Sequence, residues 1–230
     1  MKSENEWMSI SDMMSGLMLI FMFIAISFMI QVESDKNKIK NIAITYNKGK
    51  KDLNIDLNNE FSKDLKKWEA EITKDNIIIF NSPSVLFRSG KSKIKRDFKI
   101  ILNDFFPRYI NILYSPKYRE EIDEVRIEGH TSNRWKKSQS EKEVYLKNMQ
   151  LSQDRANQVL SYCYSLDNNT IYNAREWLEL HLRANGMAFA KLKFKDKNRT
   201  IPDNKKSRRV EFKIQMKTEE KIYKILEASE

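Results

Sequence analysis

An uncharged apolar run fills residues 13–30, and no comparable stretch follows it. Eighteen residues at 1.5 Å rise make a helix of about 27 Å, close to a bilayer hydrocarbon core of about 30 Å. A cleavable signal peptide needs a basic leading region and a small-residue exit site, whereas this run follows an acidic flank and ends in FMIQVESD. The pattern therefore predicts residues 1–12 as a short leading segment and residues 13–30 as an uncleaved transmembrane helix.

Apolar residues at steps of three and four continue beyond the run, through a predicted helical linker over residues 31–75. From Leu53 to Ile72 the mean step is 3.8 residues, longer than the 3.5 of a heptad, so a left-handed coiled coil is poorly matched. The stripe is typical either of a helix lying on the rest of the protein or of a stalk for self-association, and we favour the stalk. Its members are Ile39, Ile42, Tyr46, Leu53, Leu57, Phe61, Leu65, Trp68 and Ile72.

Strand-like and helix-like patterns alternate over residues 76–216, which predicts an α+β domain of βαβαβ order. Helices are expected over 94–113, with a kink at Pro107, and over 149–166, while the polar segments 131–148 and 191–207 are expected to be surface loops. Residues 217–230 form a tail. The predicted strands cover 76–80, 125–128, 181–184 and 208–215.

Charge is distributed unevenly between the two ends of the chain. The 230 residues contain 42 Lys and Arg against 32 Asp and Glu, a net charge of +10, and the first thirty residues carry −2 of it. The single Cys163 excludes a disulfide framework, and two histidines provide too few ligands for a His/Cys zinc site. Without a paired acid–base set or a phosphate loop, we expect no catalytic residues, no metal and no cofactor.

The position of Asp12 at the start of the apolar run has two interpretations. The first places it among the lipid headgroups as an N-cap after Ser11. The second extends the helix back to Trp7, which suits the membrane interface, and puts Asp12 about one turn inside. A carboxylate at that depth is costly when charged, which makes it a candidate ion carrier.

The string Trp7–Met18, WMSISDMMSGLM, resembles the W…(A/S)D(F/L)M(T/S)(A/G)xM signature of MotB-type stator subunits, the single-span B components of ion-driven rotary motors. The Ser-Gly pair after the acidic residue and the four residues between Trp7 and Asp12 are more similar to the B subunit of the Zorya anti-phage defence system. In both families the matching aspartate carries the ion, so the resemblance implies that Asp12 carries a proton.

The second half of the chain resembles the OmpA-like peptidoglycan-binding domain over residues 76–216. The matching motifs are VLFxxG at 85–90, EGHT at 128–131, NxxLSxxRA at 148–156 and SRRVE at 207–211. In that family an arginine and an aspartate hold the charged head of diaminopimelate; Arg155 matches the arginine, but Ser132 replaces the aspartate. The resemblance implies a peptidoglycan site at Thr131, Ser132, Asn148, Leu151 and Arg155.

The same resemblance implies an assembly and a location. In the family, two copies of the B chain form a homodimer within a ring of five polytopic MotA-like A subunits, and cytoplasmic defence effectors act downstream. The N-terminus is then cytoplasmic, the helix spans the inner membrane and the C-terminal domain is periplasmic. Six lysines between positions 36 and 51 instead favour a cytoplasmic body by the positive-inside rule, but the wall-binding signature favours the family arrangement.

Three other functions compete with the defence motor. A flagellar-type stator would share Asp12 and the wall-binding domain, and a passive cell-wall tether would share the domain without ion flow. A membrane-bound nucleic-acid sensor is suggested by the basic pairs 205–206 and 208–209. We rank the sensor last, because the basic residues are spread over loops without a recognisable nucleic-acid fold.

Overall fold

The computed structural model describes residues 2–135 and 140–217, and the chain divides into two compact units between Lys48 and Gly49. The helices are α1 (Lys2–Trp68), α2 (Pro83–Leu86), α3 (Arg96–Leu113), α4 (Glu141–Tyr164), α5 (Asn169–Asn173), α6 (Arg175–His181) and α7 (Asn204–Ser207). The strands are β1 (Ala70–Ile72), β2 (Ile77–Phe80), β3 (Ile122–Gly129), β4 (Leu182–Gly186) and β5 (Val210–Met216).

In the first unit, the described residues belong to α1. The large apolar side chains of residues 13–30 are 44–75% exposed, and this stretch lies in a helix that is long and apolar enough to cross a membrane, with a mean hydropathy of 2.4 over its most apolar window. Apolar side chains on every side of a helix need an apolar environment all round. The predicted spanning segment is thus helical throughout.

The second unit, Gly49–Lys217, is built on a five-stranded mixed sheet in the order β1-β2-β5-β3-β4. Strands β3 and β4 run parallel, while the other neighbours are antiparallel. The parallel pair requires a crossover, which α4, α5 and α6 provide. This mixture of helix and sheet confirms the predicted α+β class.

The core of the second unit is an aromatic cluster that includes the end of α1. Phe105 of α3 lies 5.3 Å from Phe61 of α1, 5.2 Å from Phe80 of β2 and 5.0 Å from Phe212 of β5, measured between ring centroids. Leu53, Leu57 and Phe61 are fully buried. We expected the stripe to pack against a second copy of the chain. Over these positions it packs instead against the chain's own sheet and α3.

The boundary of the linker also differs from the prediction. Helix α1 ends at Trp68, Glu69 has a left-handed φ of 49°, and the chain then pairs as β1 with β2. Ile72 is thus a strand residue and not the last member of a helical stripe. Because helix residues from Gly49 onward belong to the compact unit, the body begins near residue 49 and not at residue 76.

Helix α3 covers most of the predicted segment 94–113, with Pro107 buried inside it. Two further expectations differ in detail. Residues 141–148 of the expected loop 131–148 are helical, because a capping box between Ser140 and Glu143 starts α4 at Glu141. His181, expected to start a strand, is the last residue of α6.

Candidate ligand-binding cleft

A cleft of about 1090 Å³ opens beyond the end of strand β3. Its walls are the loop after β3, one face of α4, the segment from α2 to the start of α3, and the segment from α7 to the start of β5. The residues that line it are Pro83, Leu86, Phe87, Ser89, Gly90, Lys91, Lys95, Thr131, Ser132, Arg134, Trp135, Asn148, Leu151, Arg155, Asn204, Lys205, Arg208 and Arg209.

All five residues of the predicted peptidoglycan site line this cleft. Thr131 and Ser132 follow directly after β3. Asn148, Leu151 and Arg155 are three and four positions apart on α4, which places them on one face of the helix. The structure therefore brings the two predicted motifs together, although their ligand stays a prediction.

The close packing of β3 against α4 fixes this arrangement. A Cβ atom at Gly129 would lie 2.3 Å from the backbone oxygen of Ser152, so only glycine allows the end of β3 to lie so close to the helix. The Ser152 hydroxyl also accepts a hydrogen bond of 2.9 Å from the backbone N–H of Ala188. The Thr131 N–H in turn donates to the Ala188 oxygen at 2.8 Å, so the loop after β3 is tied to α4 through the segment after β4.

Arg155 is buried, with 6% of its surface exposed, and is held without a carboxylate partner among the described residues. Its Nε donates to the Lys91 oxygen at 3.0 Å, its Nη2 donates to the Arg88 oxygen at 3.4 Å, and its guanidinium lies 4.9 Å from the centre of the Phe87 ring. Burial, followed by the nearby charge of Arg208, lowers its pKa to about 10. A bound anion would offset the repulsion between the two guanidinium groups.

The cleft is strongly basic. Of the described residues that line it, seven are Lys or Arg, and none is Asp or Glu. Sequence analysis identified Arg155 but missed the contributions of Arg134, Trp135, Asn204 and Arg208. Asn204 and Arg208 lie about forty residues beyond the end of α4, and Arg134 and Trp135 lie in the segment before it, where no local pattern links them to its cleft-facing residues.

Several polar atoms in the cleft wall have no hydrogen-bond partner within the described segments. They are Thr131 Oγ1, Asn204 Oδ1 and Arg208 Nε, and each is buried. Asn148, in contrast, donates through Nδ2 to the Val144 oxygen at 2.9 Å, within its own helix. Unsatisfied buried polar groups are uncommon and point to a missing partner such as a ligand.

A buried charged cluster lies at the end of β3 and on the adjacent strand β5. The Nε2 of His130 is 3.5 Å from Oε2 of both Glu128 and Glu211, and all three side chains are almost fully buried. Arg209 Nε is 2.5 Å from Glu211 Oε1, and Lys191 Nζ is 3.8 Å from Glu128 Oε2. One ligand atom from each of the first three residues would suit a cation, but Arg209 and Lys191 already supply positive charge.

The electrostatics of this cluster favour ionised carboxylates. Burial acts to raise the pKa of Glu211, but the close contact with His130 and the positive charge of Arg209 outweigh it and lower the pKa to about 2. Burial likewise opposes ionisation of Glu128, whereas His130 and Lys191 lower its pKa. The cluster is an ion-pair network that joins β3 to β5 next to the cleft.

Asp12, the predicted ion carrier, belongs to the first unit. Helix α1 starts at Lys2, so Asp12 lies within the helix and is not its N-cap. Its side chain is exposed, and one turn later the Ser15 hydroxyl donates to the Ser11 backbone oxygen at 2.8 Å. The structure thus supports the interpretation in which the helix extends back beyond Asp12.

Comparison with known proteins gives one curated relative over almost the whole length of the chain. The chain is 42% identical over 226 residues to the Zorya protein ZorB of Escherichia coli, with 97% of this chain and 94% of that protein covered. The chain belongs to the ZorB family. This identity confirms the resemblance to Zorya B subunits over 97% of the ZorB-family chain. No profile of a known protein family matches it.

Solved structures similar to this ZorB-family chain include a cell-wall anchor and MotB proteins. A cell-wall anchor of the T6SS from Pseudomonas aeruginosa is 18% identical, with a TM-score of 0.45 and coverage of 70% of this chain and 97% of that one. A putative MotB-like protein from Desulfovibrio vulgaris is 18% identical, with a TM-score of 0.43 and coverage of 80% and 99%. The periplasmic domain of Helicobacter pylori MotB is 16% identical, with a TM-score of 0.41 and coverage of 69% and 97%.

Proposed function

We propose that this chain is the B subunit of a proton-driven rotary motor that acts in anti-phage defence and anchors itself to the cell wall. The observation that carries the proposal is the combination, in one ZorB-family chain, of a carboxylate within an apolar helix and a basic cleft. The carboxylate is suited to carrying an ion, and the cleft is suited to binding an anionic wall component. A passive tether needs only the second feature.

Asp12 is proposed to take up and release the proton. A carboxylate on an apolar helix is costly when charged, and protonation removes that cost, so uptake and release change how the helix interacts with its surroundings. One charge that crosses 100 mV supplies about 2.3 kcal/mol, which a polytopic MotA-like partner would convert into rotation. We propose two copies of this chain within a ring of five such partners, with cytoplasmic effectors acting downstream.

The cleft is proposed to bind the stem peptide of peptidoglycan. Arg155 is held in place by two backbone oxygens and a ring contact, so its fork is oriented before the ligand arrives. Thr131, Ser132, Asn148 and Leu151 line the same cleft and complete the contact surface. With the wall as ligand, we place the body in the periplasm, the helix in the inner membrane and the N-terminus in the cytoplasm.

The ion-carrying role is tested by Asp12→Asn in cells that carry the whole defence system. Asparagine keeps the size of the side chain but cannot cycle a proton, so protection in a phage-challenge assay should be lost while membrane insertion and partner assembly persist. Glu33→Gln is the matched control, because Glu33 is exposed on the same helix beyond the apolar run. Full protection by the Asn variant would instead indicate a passive tether.

The anchoring role is tested by the double variant Arg155→Ala with Asn148→Ala. A charge-assisted hydrogen bond contributes about 1.5–3 kcal/mol, so binding of the full chain to purified wall sacculi should fall roughly tenfold or more. Arg119→Ala is the control, since Arg119 forms an exposed pair with Glu120 outside the cleft. If the double variant sediments with sacculi as well as the wild type does, the cleft is not the wall site.

A further inference from the structure

Arg155 and Arg208 lie on the same cleft, and neither is neutralised there by a described acidic residue. Burial and, to a smaller extent, the positive charge of Arg208 lower the pKa of the Arg155 guanidinium. Arg208 Nε is also buried without a hydrogen-bond partner in the described parts of the chain. Two guanidinium groups that repel one another, one of them with an unused donor, are suited to sharing a single carboxylate.

The described residues that line the same cleft include no acidic side chain. Pairing with an ammonium group requires a carboxylate, and the described lining residues contain none. At the position where a carboxylate would follow the GHT motif stands Ser132, whose hydroxyl is neutral. A free amine next to the bound carboxylate would therefore gain no ion pair and would add to a strongly positive surface.

The cleft nevertheless offers a neutral acceptor for an N–H group. Asn204 Oδ1 is buried and without a partner, and its amide oxygen can accept from an amide as readily as from an amine. Thr131 Oγ1 is likewise buried and unsatisfied. The free hydrogen-bonding capacity of the cleft thus matches a carboxylate next to an uncharged N–H, as occurs when the amine has been acylated.

We propose that the cleft recognises a carboxylate held jointly by Arg155 and Arg208 together with a neutral N–H accepted by Asn204, and that it does not select for a free ammonium group. This inference rests on the proposed wall-binding function and specifies its ligand. Cross-linking of stem peptides acylates the side-chain amine of diaminopimelate. Cross-linked wall is then as good a ligand as wall with free stems.

Three soluble probes test the inference on the purified full chain in detergent by calorimetric titration. The first is L-alanyl-γ-D-glutamyl-meso-diaminopimelate blocked at the alanine amine; the second is also acetylated at the free side-chain amine; the third is instead amidated at the adjacent side-chain carboxylate. Acetylation should change Kd by less than twofold, whereas amidation should weaken binding at least tenfold. A tenfold loss on acetylation, or no loss on amidation, would overturn the inference.

Two variants assign the selectivity to residues. Arg208→Gln should weaken binding of the first and second probes at least tenfold, while Lys206→Gln, a neighbouring exposed site outside the cleft lining, should leave it unchanged. Ser132→Asp should introduce a preference of at least tenfold for the free amine over the acetylated one. An unchanged Kd in Arg208→Gln, with an unaltered melting curve, would remove Arg208 from the site.

The outcome for the proposed function can be separated from the outcome for the inference. A chain that binds sacculi but loses affinity for the acetylated probe keeps its wall-binding role and refutes only the stated ligand preference. A chain that binds neither sacculi nor any of the three probes refutes both.

Discussion

Residues 13–30 and residues 53–68 belong to the same helix, yet their apolar side chains meet different surroundings. In the first segment the apolar side chains lie on every side and are exposed; in the second they form a stripe, and Leu53, Leu57, Phe61 and Trp68 are buried. An all-round apolar helix suits lipid, whereas an amphipathic one suits a protein core. One continuous helix can therefore have a segment suited to lipid and a segment suited to a protein core. The distribution of apolar residues around the helix axis distinguishes the two.

The largest expected effect comes from removing a ring of the buried segment. Phe61→Ala should lower the free energy of unfolding of the body by about 3–5 kcal/mol, because it leaves a cavity next to Phe105 and Trp68. Phe23→Ala, in the apolar run, should leave that free energy unchanged. Denaturant unfolding followed by near-UV circular dichroism measures both; equal losses would mean that the two segments share one environment.

A lysine introduced into each segment should have the opposite pattern of effects: a large effect in residues 13–30 and almost none at an exposed position of residues 53–68. Leu19→Lys puts an ammonium in the middle of the proposed span, at a cost of about 2.5–3.5 kcal/mol to insertion. Ile55→Lys changes an exposed position on the segment that packs into the body and should be nearly neutral. Carbonate extraction of membranes should show less inserted chain for Leu19→Lys only. Full insertion of that variant would argue against a spanning role for the run.

The body, unlike the apolar run, should be sensitive to acid through its buried cluster. The pKa of Glu211 is lowered to about 2 in the fold, from 4.5, so its stabilisation is complete above the unfolded value and is lost as pH falls from about 5 to 2. At about 1.36 kcal/mol per pKa unit, the loss is at most about 3.4 kcal/mol. Glu211→Gln should flatten this part of the stability curve, and a slope identical to that of the wild type would exclude Glu211 as its source.

The smallest expected effect concerns the ion pairs that attach the buried segment. Arg108 of α3 pairs with Glu60 and Asp64 of α1 at 2.7 and 3.0 Å. Because these groups are partly exposed, Arg108→Gln should cost only about 1 kcal/mol of unfolding free energy. Arg119→Gln, which removes one exposed pair, should cost less than Arg108→Gln. A loss for Arg108→Gln as large as that for Phe61→Ala would mean that charge, and not aromatic packing, holds the segment in place.

Features that depend on a local pattern can be predicted from the sequence alone. The length of the apolar run and the alternation that predicts strands over 125–128 and 208–215 follow from neighbouring residues, and these segments overlap β3 and β5. The motif that contains Leu151 and Arg155 was likewise predicted on a helix, whereas Asn148 was expected in the preceding loop and lies on α4 because that helix begins eight residues earlier than predicted. The capping box of Ser140 and Glu143 is also a local pattern, but it lies within a polar segment and was predicted as part of a loop.

The surface that covers the stripe of α1 and the residues that complete the cleft depend on tertiary contacts. A stripe specifies that an apolar partner is needed but not whether it comes from another copy or from the same chain; here Phe105, next to Phe61, and Phe80, next to Trp68, provide it. Arg155 and Arg208 are 53 positions apart in sequence and line one cleft because β3 and β5 pair, with α4 packed at the end of β3. The physical reason is that strand pairing and helix packing are long-range contacts, which no local pattern encodes.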